Sequence, residues 1–238
     1  MFTIVVVGLT SCSKDENLDA TPVTMANITG SVNLYDEGTT KIDNLGMTVT
    51  VEGTSPLISA TTDINGKYTL MDVPFGTYTI LYQKSGYGTF KRFNVEHKDG
   101  NTFIPDTPSL GQKSTTTITN LTVSSNANFP VIISVTTNPA GSQANTRYIR
   151  FFFSTNPNIS NENYDSYLET SQTNISPNNL NLSQASLDAL DFTSGSTVYV
   201  KCYGESFWGN SYSDPNLNRD IFPNLNLNSA PAVSFVVP

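Results

Sequence analysis

The sequence predicts an all-β protein built as two tandem β-sandwiches. Three observations carry that expectation. Apolar residues recur at every second position in runs of strand length, Gly, Asn, Asp and Pro punctuate those runs as turns, and a Pro-, Gly- and Ser-rich stretch without periodicity divides the chain near its middle. A chain of 238 residues can hold two ordinary domains. Aromatic residues reach 11% and charged residues only 13%, so a core can form while the surface is dominated by Thr, Ser and Asn.

The N-terminus reads as an address. Phe2 to Leu9, FTIVVVGL, is apolar but far shorter than the roughly 20 residues of a transmembrane helix, and its length suits the apolar region of a signal peptide. Thr10 and Ser11 ahead of Cys12 resemble the lipobox of bacterial lipoproteins, although Met1 to Leu9 carries no Lys or Arg. The tract Ser13-Lys14-Asp15-Glu16 resembles the export signal of Bacteroides-type surface lipoproteins. The resemblance implies a signal peptide over 1–11, diacylation of Cys12, a polar tether over 12–25 and a place on the outer face of the outer membrane. Acyl chains anchor at about 0.8 kcal/mol per buried methylene. The competing expectation is a buried N-terminal strand with a free thiol at Cys12.

Residues 26–105 carry the first sandwich. In GMTVTVEG, Met47, Val49 and Val51 share one face. Asn65-Gly66 signals a hairpin, because a tight turn there needs positive φ. Tyr68 and Leu70 then point one way, Val73-Pro74-Phe75-Gly76 makes a second turn, and Tyr78, Ile80 and Tyr82 form the next inward face. Asp63 and Asn65 are expected to bond the turn backbone rather than to open a calcium loop, which needs more oxygen ligands and a Glu where Pro74 stands. His97, where a strand runs into a turn, is expected to be exposed. Gly30-Ser31-Val32, Thr62-Asp63-Ile64-Asn65-Gly66-Lys67-Tyr68, Pro74-Phe75-Gly76-Thr77-Tyr78 and Gly86-Tyr87 resemble the pattern of the carboxypeptidase regulatory-like domain. That resemblance covers about a third of the chain, and implies a transthyretin-like sandwich that serves as a stalk or interaction module.

Residues 106–114 read as a linker, and 115–238 as the second sandwich. TRYIRFFFS places Tyr148, Arg150 and Phe152 on one face and Ile149, Phe151 and Phe153 on the other. In STVYVKCYGES, Val198, Val200 and Cys202 alternate with Tyr199, Lys201 and Tyr203. Leu190, Gly195, Thr197 and Tyr199 resemble the corner and following strand of a fibronectin type III domain, which implies a Tyr199 hydroxyl bonded to upstream backbone. Cys202 is expected to be a small buried hydrophobe. A long polar excursion, 204–230, carries the sole tryptophan; such loops are commonly functional or disordered. Trp208, Phe207, Asn210, Tyr212 and Asp214 are the candidate ligand-binding residues, an aromatic face rimmed by amide and carboxylate groups that suits a sugar. The alternative is that Trp208 tucks under the loop and staples it in place. The loop NPNISNENYDSY, with Tyr164 and Tyr167, poses the same choice.

A formal net charge of -8 and no basic patch exclude nucleic acid as a partner. One histidine and two distant cysteines leave no metal-ligand spacing, no Ser or Cys sits in a nucleophile motif, and neither a catalytic site nor a cofactor is expected. The expected function is a non-catalytic surface lipoprotein that binds a glycan or protein through second-domain loops. The alternatives are an adhesive or fimbria-like stalk, or an accessory subunit of an outer-membrane uptake complex.

Overall fold

The computed structural model describes residues 24–238, so the signal segment, Cys12 and nearly all of the tether lie outside the described residues. The chain is all-β. Its first sandwich runs through β1 (Met25–Ser31), β2 (Asn33–Tyr35), β3 (Thr48–Val51), β4 (Ile58–Thr61), β5 (Lys67–Pro74), β6 (Gly76–Gln83), β7 (Phe90–His97), β8 (Thr102–Phe103) and β9 (Ser109–Gly111). One sheet has the order β5-β1-β8 and the other β4-β3-β6-β7, with β2 and β9 as a parallel pair beside them. Both sheets bury their alternate residues in one cluster: Ile28 and Leu70 from the first, Val49, Val51, Ile80 and Tyr82 from the second. Met47 joins them with no exposed surface, as the alternation in GMTVTVEG requires. The Tyr68 and Tyr82 hydroxyls meet at 2.8 Å across this core and satisfy each other.

The first sandwich departs from expectation in three places. The Asn65-Gly66 turn does not join paired strands: β4 pairs with β3 and β5 with β1, so the chain crosses there from one sheet to the other. The turn itself forms as expected. Gly66 has φ +79° and a Cβ on it would clash with the Val32 carbonyl oxygen, while the Asp63 carboxylate accepts from the amides of Asn65 and Lys67. His97 is fully buried, not exposed. Its Nε2 lies 3.0 Å from the Val73 carbonyl and its Nδ1 2.7 Å from the Thr102 hydroxyl, so the ring ties β7 to the opposite sheet. It shares its strand face with buried Val95, two residues earlier, and that period-two signal outweighs the polarity of the imidazole. Finally, 106–114 contains β9, whose Leu110 belongs to the first core.

The second sandwich comprises β10 (Thr117–Ser124), β11 (Val131–Asn138), β12 (Arg147–Ser154), β13 (Ser166–Tyr167), β14 (Ser171–Thr173), β15 (Asn178–Leu182), α1 (Gln184–Ala189), β16 (Thr197–Glu205), β17 (Tyr212–Asp214), β18 (Arg219–Ile221) and β19 (Val233–Val236). The sheet β10-β11-β15 packs on a second in which β12 pairs with β13 and β14 on one side and β16 on the other, followed by β19. The short helix α1 was not expected from the sequence; Ser183 caps it by accepting from the Ser186 amide, and Leu187 anchors it in the core. The expected corner bond does not form. Tyr199 makes no side-chain hydrogen bond among the described residues and packs on the outer side of the sheet. The inner face goes to Val198, Val200 and Cys202.

Every residue of β12 is buried. Ile149, Phe151 and Phe153 enter the core between the sheets. The opposite face, which a sandwich ordinarily leaves to solvent, is covered by a second cluster of Phe152, Ile159, Tyr203, Phe222 and Leu225 with Tyr164 and Tyr167 against it. Both long polar loops are thus folded down onto one sheet.

Candidate functional site at the domain junction

The 204–230 excursion leaves β16, crosses to the first sandwich and returns. Its crossing is held by two buried asparagines. Asn210 Oδ1 accepts from the Gly111 amide at 2.8 Å, and Nδ2 donates to the carbonyls of Gly88 and Gly111, both at 3.1 Å. Asn224 Oδ1 accepts from the Gly88 amide at 2.8 Å, and Nδ2 donates to Gly111 O and Trp208 O, both at 2.8 Å. The two side chains also bond each other at 3.2 Å. Gly111 is required here, because a Cβ would stand 2.5 Å from the Trp208 carbonyl oxygen. A second tie joins Glu37 to Arg147 at 2.6 Å and to the Thr115 amide at 2.6 Å.

Beside this junction opens a cleft of about 470 Å³. Phe90, Arg92 and the 106–110 segment form its first-sandwich wall; Arg150, Glu169, Thr170 and residues 207–211 form the other. Trp208 is half-buried, its ring 5.0 Å from Tyr35 and 5.1 Å from Phe207 between centroids. Trp208 thus staples the loop, and to the first sandwich rather than to its own, while still lining the cleft. Its indole Nε1 and the Nε of Arg92 are buried donors with no partner among the described residues. Both atoms are covered by protein, and unpaired buried donors cost about 1–3 kcal/mol each.

The candidate residues therefore divide. Phe207, Trp208 and Asn210 line the cleft, but the amide of Asn210 is fully engaged in holding the two sandwiches. Tyr212 stands farther along, its ring 6.0 Å from both Phe90 and Phe93 of β7. Asp214 is buried and accepts from the Asn216 and Leu217 amides, which closes the turn between β17 and β18. Asn224, Arg92 and Glu169 were not singled out from the sequence. Asn224 sits in the repetitive NLNLN stretch with nothing local to distinguish it, and the other two are ordinary strand or loop charges until the fold brings them together.

The floor of the cleft rests on a buried ion pair. Arg150 Nε lies 2.9 Å from Glu205 Oε2, Nη1 bonds the Leu168 carbonyl at 3.0 Å and Nη2 the Thr170 hydroxyl at 2.8 Å. Its guanidinium lies 4.4 Å from the centre of the Phe222 ring. Burial pushes the Glu205 carboxyl up to about 7, against the pull of Arg150. Between its unfolded value near 4.5 and about 7 the folded state therefore holds more protons, so stability falls as pH rises through that window, by at most about 1.4 kcal/mol per pH unit. The melting temperature is expected to be lower at pH 8 than at pH 5, and Glu205→Gln is expected to flatten that decline; an unchanged pH profile in Glu205→Gln would contradict the assignment.

Cys202 is fully buried, and burial raises its thiol well above the ordinary range, which keeps it a packed hydrophobe. Among the described residues no helix is long and apolar enough to cross a membrane.

No protein-family model and no curated protein matches the chain. Among solved structures it is similar to a candidate carbohydrate-binding protein from Bacteroides uniformis, at 13% identity over 89% of this chain and 99% of that one, TM-score 0.32. A DUF3823 family protein from Bacteroides ovatus matches at 12% identity over 90% of this chain and 100% of that one, TM-score 0.29. A type II cohesin–X-dockerin complex from Acetivibrio cellulolyticus matches at 25% identity and TM-score 0.31, over 37% of this chain and 59% of that chain's length.

Proposed function

We propose that this is a non-catalytic lipoprotein of the outer-membrane surface, anchored by acyl chains on Cys12, that binds a glycan in the cleft between its two sandwiches. The observation that supports this reading is the set of rings, Phe90, Phe207 and Trp208, that line one cleft with the Arg92 side chain and the carboxylates of Asp106 and Glu169. Apolar ring faces with a few polar groups at the rim are what a sugar requires: C–H surface against the rings, hydroxyls against the donors and carboxylates. Glu169 and Asp106, with side chains 89% and 81% exposed, supply acceptors that their ion pairs with Arg150 and Arg92 leave open to solvent.

The test is a binding screen of the full chain carrying Cys12→Ser against polysaccharides and host glycoproteins. At least one is expected to bind, and Glu169→Gln and Trp208→Ala are expected to weaken it by tenfold or more, about 1.4 kcal/mol. Glu169→Gln separates binding from folding, because that carboxylate supports little structure. Binding that neither variant changes would remove the cleft from consideration.

A second reading is favoured by a different observation. The Asn210–Asn224 network and the Glu37–Arg147 pair lock the two sandwiches together, as a stalk that holds a partner away from the membrane would need. No binding to any glycan or glycoprotein in the screen would put this reading ahead.

A further inference from the structure

The cleft does not end at Tyr212. A second cavity of about 170 Å³ shares Arg150, Glu169 and Ser211 with the first, and a third of about 490 Å³ shares Ser213 and Asp220 with the second. The three follow one another through these shared residues, from the 106–110 segment to the β17–β18 hairpin. Each contributes an aromatic ring: Phe207 in the first, Tyr212 in the second and Phe93 in the third. All three rings are exposed or half-buried.

The charges along this groove are largely matched within the protein. Arg92 faces Asp106 at 3.3 Å, Arg150 is held by Glu205 with Glu169 3.7 Å away, and Arg219 shares the third cavity with Asp214 and Asp220. The Asp220 carboxylate, held below its usual range by hydrogen bonds from Ser213 and Tyr167, stays ionised there. A polyanion would find no surplus cation and a chain of net charge -8. A hydroxyl-rich, uncharged ligand meets rings spaced along its length and carboxylates to accept from its hydroxyls.

We infer that the ligand is an extended neutral oligosaccharide lying across all three cavities, engaged at both ends of the groove. This rests on the glycan-binding reading above and adds the ligand's length and charge to it. Both ends belong to different sandwiches: Phe93 comes from β7 and Phe207 from the loop after β16, so the locked junction sets the distance between them.

Titration of the full chain carrying Cys12→Ser with malto-, cello-, xylo- and manno-oligosaccharides of two, four and six units tests the inference, with polygalacturonate and a casein digest as charged and peptide comparisons. In one neutral series the hexasaccharide is expected to bind at least tenfold tighter than the disaccharide. Phe207→Ala and Phe93→Ala, each checked for an unchanged melting temperature, are expected to remove most of that gain separately. A disaccharide that binds as tightly as the hexasaccharide, or binding that ignores Phe93, overturns the extended site and leaves glycan binding at the first cleft intact. Preference for polygalacturonate or the casein digest, or no binding to any neutral series, overturns the assignment of a neutral glycan. Absence of binding to every glycan and glycoprotein removes the parent reading as well.

Discussion

Arg150→Leu is expected to destabilise the protein by about 3–5 kcal/mol, while Arg150→Leu combined with Glu205→Leu recovers most of that loss. The pair is buried on both sides, with Arg150 3% and Glu205 1% exposed. Without the guanidinium, the Glu205 carboxylate keeps only the Ser206 amide at 3.3 Å as a partner, and a lone buried charge is far more costly than an apolar pair of similar volume. The variant also has a pH signature. Arg150 is the main influence that lowers the Glu205 carboxyl, so its removal lifts the folded value above about 7. The penalty should then be greatest at high pH and shrink on acidification, as the buried group takes up a proton. Urea denaturation at pH 5 and pH 8 measures both effects. A loss below about 1 kcal/mol at pH 8, or a double variant no better than the single, would show that the pair is not the support of the cleft floor.

Asn224→Ala is expected to cost about 2–4 kcal/mol and to separate the unfolding of the two sandwiches. The substitution leaves the Gly88 amide and the Trp208 carbonyl without their partner and the Gly111 carbonyl with Asn210 alone, and each buried orphan costs about 1–3 kcal/mol, partly relieved by water entering the junction. The bonds lost to Gly88 and Gly111 couple the domains, and none of those lost lies within either core. Calorimetry should therefore resolve two transitions where the unaltered protein gives one. A single transition shifted as a whole would mean that the Glu37–Arg147 tie and the packing of Trp208 on Tyr35 suffice to couple the domains.

Strand placement was legible because its causes are local. Alternation at Met47, Val49 and Val51, at Ile149, Phe151 and Phe153, and at Val198, Val200 and Cys202 assigned those side chains to inner faces, and a pleated backbone leaves no other choice when one face must be buried. The Asp63 to Lys67 turn was equally local, fixed by a glycine at positive φ and a carboxylate two residues from the amide it caps. Which strands those turns connect was not, since the chain crosses between sheets at Gly66 by pairing with partners distant in sequence. His97 lay between the two cases: its alternation with Val95 pointed inward, and only the Val73 carbonyl and the Thr102 hydroxyl, supplied by other strands, make an imidazole acceptable there.

The sequence by itself determined an all-β chain, the inward faces of its strands and the aromatic loop worth attention around Trp208. Only the tertiary structure decided what covers the outer face of β12, why Asn210 and Asn224 are buried, and where Arg92 from one sandwich and Glu169 from the other line one cleft. The physical reason is range. Side-chain alternation and turn geometry are set by neighbours a few residues away, whereas a buried amide or a cleft exists only when groups about a hundred residues apart, such as Gly111 and Asn210, satisfy each other's hydrogen bonds.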